Sequence, residues 1–156
     1  MITIEIPGVG NRTFSHLVLD VNGTLSVDGE LIAGVAERCR RLHDVLQVRL
    51  LTANTRGTAA QLGDMLAAEW SQVVAGSEAE QKRDYVEALG AAGVVAIGNG
   101  NNDAAMLDAA GLGIAVLGAE GTSTRALLAA DIVAKDILVA LDLLLDPVRL
   151  IATLRC

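Results

Sequence analysis

The chain has 156 residues, of which 52% are apolar and 2% are aromatic. This composition fits one domain, residues 1–156, with an aliphatic core. The net charge of −7 and the lack of any basic run exclude binding to a nucleic-acid backbone, and the scarcity of aromatic side chains excludes binding by base stacking. A small phosphorylated ligand, held by a metal ion and a few cations, is not excluded.

Apolar periodicity predicts short strands that alternate with amphipathic helices. The predicted strands are 2–6, 16–19, 45–51, 72–75, 94–97, 113–117 and 132–133, and the predicted helices are 35–43, 58–69, 78–89, 103–109, 123–129 and 137–154. A turn is expected at 7–12, and Asp28-Gly29 at the centre of 25–32 predicts a small β-hairpin flap. Strands without polar alternation, separated by helices, are typical of a parallel sheet covered on both faces. We therefore predict a doubly wound α/β fold with its ligand site beyond the carboxyl ends of the strands.

No targeting signal or disulfide pattern is recognisable. The first residues lack a basic segment followed by an apolar block, and no apolar run of about 18 residues predicts a membrane span. Cys39 and Cys156 have no metal-ligand spacing, and Cys39 fits an apolar helical pattern. We expect a cytoplasmic protein that contacts neither a membrane nor nucleic acid.

Unusual polar residues follow the predicted strands, and each also has a purely structural interpretation. Asp20 could start a turn, Thr52 could cap the next helix, and Lys82 could be a solvated helix residue. The loop 98–103 begins like a dinucleotide-binding fingerprint, but Asp103 stands at its third glycine and would repel a pyrophosphate. Together, these residues offer a carboxylate nucleophile, a hydroxyl, a cation and a second carboxylate. Phosphoryl transfer assisted by Mg²⁺ needs these groups.

The same residues resemble the motifs of the haloacid dehalogenase superfamily in order and spacing. Asp20-Val21-Asn22-Gly23-Thr24-Leu25 is similar to its first motif, Asp-x-Asp-Gly-Thr-Leu, and Leu50-Leu51-Thr52 to its second. Lys82 resembles the third, and the loop 98–103 resembles the fourth, Gly-Asp-Gly-x-Asn-Asp. The likeness covers roughly residues 17–133 and is strongest to the phosphorylation domain of P-type ATPases. It implies a Rossmann-like fold in a soluble, free-standing relative of that domain.

The resemblance implies a Mg²⁺-dependent phosphohydrolase that acts on a small phosphorylated substrate. Asp20 would form an aspartyl-phosphate, with Asn22 at the position of the acid–base residue. The implied phosphate-binding residues are Thr52, Ala53, Lys82 and Asn102, and the implied metal ligands are Asp20, the backbone carbonyl of Asn22, Asn99 and Asp103.

Two amides depart from the superfamily pattern. Asn22 stands where an aspartate usually protonates the leaving oxygen, so turnover is expected to be slow, because general acid–base catalysis contributes roughly 10²–10⁴-fold. Asn99 replaces a metal-binding aspartate, so Mg²⁺ affinity is expected to fall. The alternative is a catalytically impaired domain that binds phosphate and Mg²⁺ for regulation. A dehalogenase is a third, weaker interpretation, because such enzymes do not need a metal site.

The spacing of the motifs leaves no room for the cap domain that usually closes such sites. Only about 30 residues separate Asp20 from Thr52, and about 30 separate Thr52 from Lys82; the predicted sheet and helices use them all. The apolar helices near the C-terminus either pack on the sheet or form the interface of a homo-oligomer.

Overall fold

A six-stranded parallel sheet forms the centre of the computed structural model, which describes all residues from Met1 to Cys156. In spatial order its strands are β10 (Ile132–Ala134), β9 (Leu112–Val116), β8 (Val94–Gly98), β3 (His16–Leu19), β6 (Gln47–Thr52) and β7 (Glu69–Gln72). The other strands form two antiparallel hairpins, β1 (Ile2–Ile6) with β2 (Gly10–Phe14) and β4 (Ser26–Val27) with β5 (Glu30–Leu31).

Seven helices cover the two faces of the sheet. They are α1 (Val35–Leu42), α2 (Ala59–Leu66), α3 (Glu78–Ala88), α4 (Ala104–Ala109), α5 (Thr124–Ala129), α6 (Ile137–Leu145) and α7 (Pro147–Leu154). Helices α1, α2, α6 and α7, with the β1–β2 hairpin, contribute to one apolar core, and α3, α4 and α5 contribute to a second core on the opposite face. None of the helices has the length and apolar composition needed to cross a membrane.

Both faces of the sheet are buried at its central strands because successive residues there enter different cores. In β3, Leu17 and Leu19 belong to the first core and Val18 to the second, and all three are completely buried. This explains why the strands have no polar alternation in the sequence. The predicted fold, a doubly wound parallel sheet without a cap, is confirmed.

The order of the strands places a topological switch point beside β3. From β3 the chain continues to β6 and β7 on one side, then crosses to β8, β9 and β10 on the other. In such sheets ligands bind in the crevice where the winding direction reverses. Asp20 follows β3 and Asn99 follows β8, so both residues lie at this crevice; the backbone N–H of Asp20 donates to the carbonyl of Ile97 at 3.0 Å.

The flap between β4 and β5 closes with the two-residue turn that the sequence predicts. Asp28 and Gly29 both have positive φ, 53° and 86°, as a type I′ hairpin turn requires. Arg56 Nη2, after β6, lies 3.2 Å from Asp28 Oδ1 and connects the tip of the flap to the next loop. Between β3 and β6 the chain adds only this flap and α1, which leaves the carboxyl edge of the sheet without a cap.

Two strands differ from the predictions because their side chains face solvent. The segment predicted as a turn, 7–12, contains the start of β2, where only Phe14 is buried. Strand β7 is Glu69–Gln72, not 72–75, and it forms an exposed edge of the sheet. Hydrogen bonding to β1 and to β6 creates these strands, so apolar periodicity carries no signal for them.

Candidate active site

Asp20 is held at the carboxyl end of β3 by hydrogen bonds to both of its carboxylate oxygens. Lys82 Nζ donates to Oδ1 at 2.6 Å, and Thr24 Oγ1 donates to Oδ2 at 3.0 Å. The side chain is buried but borders a cavity at the edge of the sheet. A carboxylate that is fixed in orientation and reachable from a cavity can act as a nucleophile.

Lys82 is completely buried, although the sequence allowed a solvated lysine at this position. Helix α3 aims its side chain beneath the strand ends, where Nζ contacts Asp20 Oδ1 at 2.6 Å and Asp103 Oδ1 at 2.7 Å. A buried ammonium group is tolerated only when it is paired and hydrogen-bonded, and two carboxylates meet that need.

Asp103 anchors Lys82 and organises the loop after β8. Its Oδ1 accepts from Lys82, and its Oδ2 accepts from the backbone N–H groups of Asn99, at 3.0 Å, and Gly100, at 2.8 Å. Gly98 makes this arrangement possible, because a Cβ at that position would lie 2.5 Å from Asp103 Cγ. In this geometry Asp103 does not line the cavity that Asp20 borders.

The electrostatics of the cluster follow from one cation shared by two acids. Burial and the neighbouring charge of Asp103 raise the pKa of Asp20 to about 6, and Lys82 offsets only part of that rise. Burial by itself would lower the pKa of Lys82, but Asp20 and Asp103 together raise it. The lysine therefore stays protonated, and Asp20 is more basic than an ordinary aspartate.

Asn99 is fixed by hydrogen bonds that suit an amide and not a carboxylate. Its Nδ2 donates to the carbonyl of Gly121 at 2.9 Å, which leaves Oδ1 as the acceptor facing Thr24 Oγ1 at 3.0 Å. Asp20 Oδ2 and Asn99 Oδ1 thus face the same hydroxyl, and one hydroxyl proton cannot fully satisfy both. Two hard oxygen atoms therefore point toward one small region of the site.

Asn22 has an unpaired acceptor. Its Nδ2 donates to Thr55 Oγ1 at 3.2 Å, while its buried Oδ1 has no hydrogen-bond partner. A buried carbonyl oxygen without a partner is uncommon in proteins. Asn22 therefore offers an unpaired acceptor, but no ionisable proton, at the position where the resemblance places the acid–base residue.

The remaining predicted phosphate-binding residues lie around the same crevice. Thr52 is buried at the end of β6; its Oγ1 accepts from the N–H of Asn54 at 3.0 Å, and its hydroxyl proton remains available to donate. Ala53 lines the cavity, and so does Asn102, whose Nδ2 donates to Glu78 Oε2 at 2.7 Å. The structure thus brings residues from four segments of the chain to one place.

The cavity has a volume of about 260 Å³ and an acidic lining. It is lined by Asp20, Asn22, Ala53, Thr55, Glu78, Asn99, Gly100, Asn102 and Glu120. Sequence reasoning did not single out Thr55, Glu78 or Glu120. Glu78 begins α3, and Glu120 lies in the loop after β9, where no local pattern distinguishes a site residue from a solvated one.

The donor set fits a hard cation. No group of three or more histidine, cysteine, aspartate or glutamate side chains is arranged as a metal site. The oxygens that face one another are instead Asp20 Oδ2 and the amide Oδ1 of Asn99. A carboxylate and an amide carbonyl, without nitrogen or sulfur donors, suit Mg²⁺, which keeps several waters and binds few protein ligands.

Comparisons with known proteins agree with this fold. Residues 87–136 match the family model of the haloacid dehalogenase-like hydrolases. A stretch of 62 residues is 56% identical to an uncharacterized protein of Methanocaldococcus jannaschii, and it covers 40% of this chain and 67% of that relative.

Two solved structures are similar in fold. The first is 3-deoxy-D-manno-octulosonate 8-phosphate phosphatase from Moraxella catarrhalis in complex with magnesium, phosphate and a KDO molecule, with a TM-score of 0.66 and 17% identity over 91% of this chain and 94% of that one. The second is a phospho-aspartyl intermediate analogue of phosphoserine phosphatase, with a TM-score of 0.64 and 13% identity over 81% and 96%. At these identities the likeness concerns the fold. The family match over residues 87–136 and the shared fold agree with the resemblance of the four motifs to the haloacid dehalogenase superfamily.

Proposed function

We propose that the protein is a Mg²⁺-dependent phosphohydrolase that acts on small phosphorylated molecules through an aspartyl-phosphate on Asp20. One observation carries the proposal: the Asp20 carboxylate borders a cavity at the switch point and is fixed by a completely buried lysine, Lys82. A buried cation beside a nucleophilic carboxylate suits a reaction in which phosphoryl oxygens carry negative charge.

The reaction would proceed in two displacements. First, the carboxylate of Asp20 attacks phosphorus, and the bond from phosphorus to the leaving oxygen breaks. Lys82 and the hydroxyl of Thr52 stabilise the charge on the phosphoryl oxygens, and a bound Mg²⁺ would supply further charge neutralisation. Second, a water molecule attacks phosphorus and the bond from phosphorus to the Asp20 oxygen breaks. The proton of the water leaves with the released phosphate or passes to solvent, and the carboxylate of Asp20 is restored.

The amide of Asn22 restricts the substrates that turn over quickly. It cannot give a proton to a departing alkoxide, and it cannot take one from the attacking water. Alkyl phosphates should therefore react slowly, because general acid–base help is worth roughly 10²–10⁴-fold. Acyl phosphates need no proton on their leaving group, so the first displacement should remain fast with them.

The similar structures support the proposal through the ligands they contain. The Moraxella catarrhalis phosphatase was crystallised with magnesium, phosphate and a KDO molecule, and the phosphoserine phosphatase structure is an analogue of a phospho-aspartyl intermediate. By analogy with these two proteins, we propose a divalent cation, a covalent intermediate and a small phosphorylated substrate for this protein.

Labelling of Asp20 tests the proposal directly. Purified protein is incubated with acetyl phosphate and Mg²⁺, quenched in acid and measured by intact mass and peptide mapping. We expect one added phosphoryl group on Asp20, together with slow release of phosphate. Asp20→Asn should abolish both, and Asp64→Asn, a change of an exposed aspartate on α2, should abolish neither. If wild-type protein shows neither label nor turnover, the proposal is wrong.

A second candidate function is a regulatory domain that binds phosphate and Mg²⁺ without chemistry. The observation in its favour is that both departures from the superfamily pattern, Asn22 and Asn99, are held by hydrogen bonds from their amide nitrogens. This candidate predicts saturable phosphate or Mg²⁺ binding without a phosphoryl group on Asp20. A labelled Asp20 rules it out.

A further inference from the structure

Of the two oxygens that face each other at the candidate cation site, only that of Asp20 belongs to a charged side chain. Of the two aspartates in the cluster, only Asp20 faces the cavity, because the oxygens of Asp103 are taken by Lys82 and by two backbone N–H groups. Asn99 contributes a neutral oxygen. One carboxylate and one amide form a weak site, since carboxylate count sets much of the affinity for hard cations.

The loop after β9 brings another carboxylate to this position. The carbonyl of Gly121 accepts from Asn99 Nδ2 at 2.9 Å, and the N–H of Ser123 donates to the carbonyl of Asn99 at 2.9 Å. Gly118 also lies close to the carbonyl oxygen of Gly23. Together these contacts pack the loop after β9 against the segment that follows β3.

The side chains of Asn99 and Glu120 both approach Gly23. A Cβ on Gly23 would lie 2.8 Å from Asn99 Nδ2 and 3.0 Å from Glu120 Oε2. The positive φ of 77° at Gly23 and this lack of space both require glycine there. Asn99 and Glu120 thus approach Gly23 from the same side, and both side chains line the cavity that Asp20 borders.

One oxygen of Glu120 is held in place and the other is free. Oε1 accepts from the N–H of Asp28 at 3.5 Å and lies 3.9 Å from Arg56 Nη2, so flap and loop orient the side chain. Oε2, the oxygen nearer to Gly23, accepts no hydrogen bond. The other glutamate of the cavity, Glu78, already accepts from Asn102 at 2.7 Å.

We propose that Glu120 supplies the second carboxylate of the divalent-cation site and so replaces the charge that is missing at Asn99. The inference rests on the proposed function, because it names a further ligand for the same site. Glu120 reaches the site from a loop that the four motifs do not include. Two charged ligands, Asp20 and Glu120, then flank the amide of Asn99.

Cation titration of four proteins tests the inference: wild type, Glu120→Gln, Asn99→Asp and the double variant. The probe is Mn²⁺, with free ion measured by electron paramagnetic resonance and competition by Mg²⁺. We expect Glu120→Gln to weaken Mn²⁺ binding on the order of tenfold, because one of two charged ligands is lost. In the Asn99→Asp background the same change should weaken binding only about twofold, because a carboxylate at 99 restores the charge; neighbouring ligands are expected to be non-additive in this way.

The matched control is Glu80→Gln, which removes the same charge from an exposed site on α3 and should leave the Mn²⁺ affinity unchanged. Thermal unfolding in EDTA shows whether each variant is folded, and because Glu120 is exposed its variant is expected to unfold like wild type. Equal affinities for wild type and Glu120→Gln overturn the inference, as does a wild type without saturable Mn²⁺ binding.

The two proposals fail in different ways. If Asp20 is phosphorylated while Glu120→Gln binds Mn²⁺ like wild type, only the role of Glu120 is wrong. If Glu120→Gln weakens Mn²⁺ binding but Asp20 is never phosphorylated, the cation site stands and the phosphohydrolase proposal is wrong.

Discussion

The Nζ atom of Lys82 lies 2.7 Å from Asp103 Oδ1, and both side chains are completely buried. The same ammonium contacts Asp20 Oδ1 at 2.6 Å, so one cation serves two acids. Without the lysine, two carboxylates would face each other in a medium of low dielectric constant, where repulsion between like charges is strong. Lys82 is therefore expected to matter for stability as well as for chemistry.

Lys82→Met is expected to lower the free energy of unfolding by about 3–5 kcal/mol, the usual cost of breaking a buried ion pair by removing one partner. Labelling of Asp20 should also disappear. Urea denaturation measures the first effect and intact mass the second. The other lysine, Lys135, is exposed, and Lys135→Met should change the stability by less than about 0.5 kcal/mol. Equal stabilities for the two variants would contradict the buried ion pair.

The raised pKa of Asp20 predicts a pH-dependent cost to stability in metal-free protein. The ordinary value is 3.8 and the folded value is about 6, so the folded state holds this proton more tightly than the unfolded state. Between these two pKa values Asp20 is largely protonated in the folded state but largely ionised in the unfolded state. A rise in pH in this range therefore lowers the free energy of unfolding. The neutral amide introduced by Asp20→Asn does not titrate, so that variant lacks this dependence.

In EDTA, the stability of Asp20→Asn relative to wild type should accordingly increase by about 1–3 kcal/mol between about pH 4 and about pH 6.5. Urea denaturation at several pH values measures it. The exposed control Asp64→Asn should show no comparable trend. A relative stability of Asp20→Asn that is flat across this range would show that burial does not govern the titration of Asp20.

The fold was predictable from sequence because the sheet is buried on both faces. Strands such as β3 and β8 are continuous apolar runs bounded by polar loops, and helices between them imply parallel pairing. Strands β2 and β7 were missed or shifted because their side chains face solvent and hydrogen bonding to a neighbour alone defines them. A single sequence contains no local signal for such pairing.

The structure brings most of the predicted site residues close together, and their roles in a site stay predictions. Asp20, Thr52 and Lys82 could be placed together because strand ends meet at one edge of a parallel sheet. The sequence did not reveal that Asp103 directs its oxygens to Lys82 and to backbone N–H groups. That arrangement depends on the close approach of the Asp103 side chain to Gly98, where a Cβ would not fit. Glu120 was missed because tertiary packing alone brings its loop to the site. The particular likeness to P-type ATPases stays a prediction.

Gly98→Ala tests whether Asp103 must keep its position. The new Cβ would lie 2.5 Å from Asp103 Cγ, and that carboxylate cannot easily move, because Lys82 and the N–H groups of Asn99 and Gly100 hold it. We expect a loss of about 1–3 kcal/mol in the free energy of unfolding, typical of overpacking, and a loss of Asp20 labelling. The control is Gly93→Ala, whose Cβ would meet only Ser15 Oγ at 3.4 Å and Thr13 O at 3.9 Å, and whose labelling should be normal. Normal labelling in both variants would mean that the site tolerates a displaced Asp103.

Asn22→Asp is expected to increase turnover of alkyl phosphates roughly 10²-fold or more, because it adds the missing acid–base group. The structure accommodates the change. Thr55 Oγ1, which now accepts from Asn22 Nδ2 at 3.2 Å, can instead donate its proton to a carboxylate oxygen. Steady-state phosphate release, compared between an alkyl phosphate and acetyl phosphate, measures the effect.

The comparison between the two substrates separates acid–base catalysis from a general improvement of the site. Protonation of the leaving group helps only the alkyl phosphate, whereas activation of water in the second displacement helps both. The level of phosphorylated Asp20 during turnover of acetyl phosphate should therefore fall in Asn22→Asp, and the rate of its formation should stay nearly unchanged. If neither substrate turns over faster and the phosphorylated form persists, the amide at position 22 does not limit the reaction. The low charge of the cation site around Asn99 is then the remaining explanation for slow turnover.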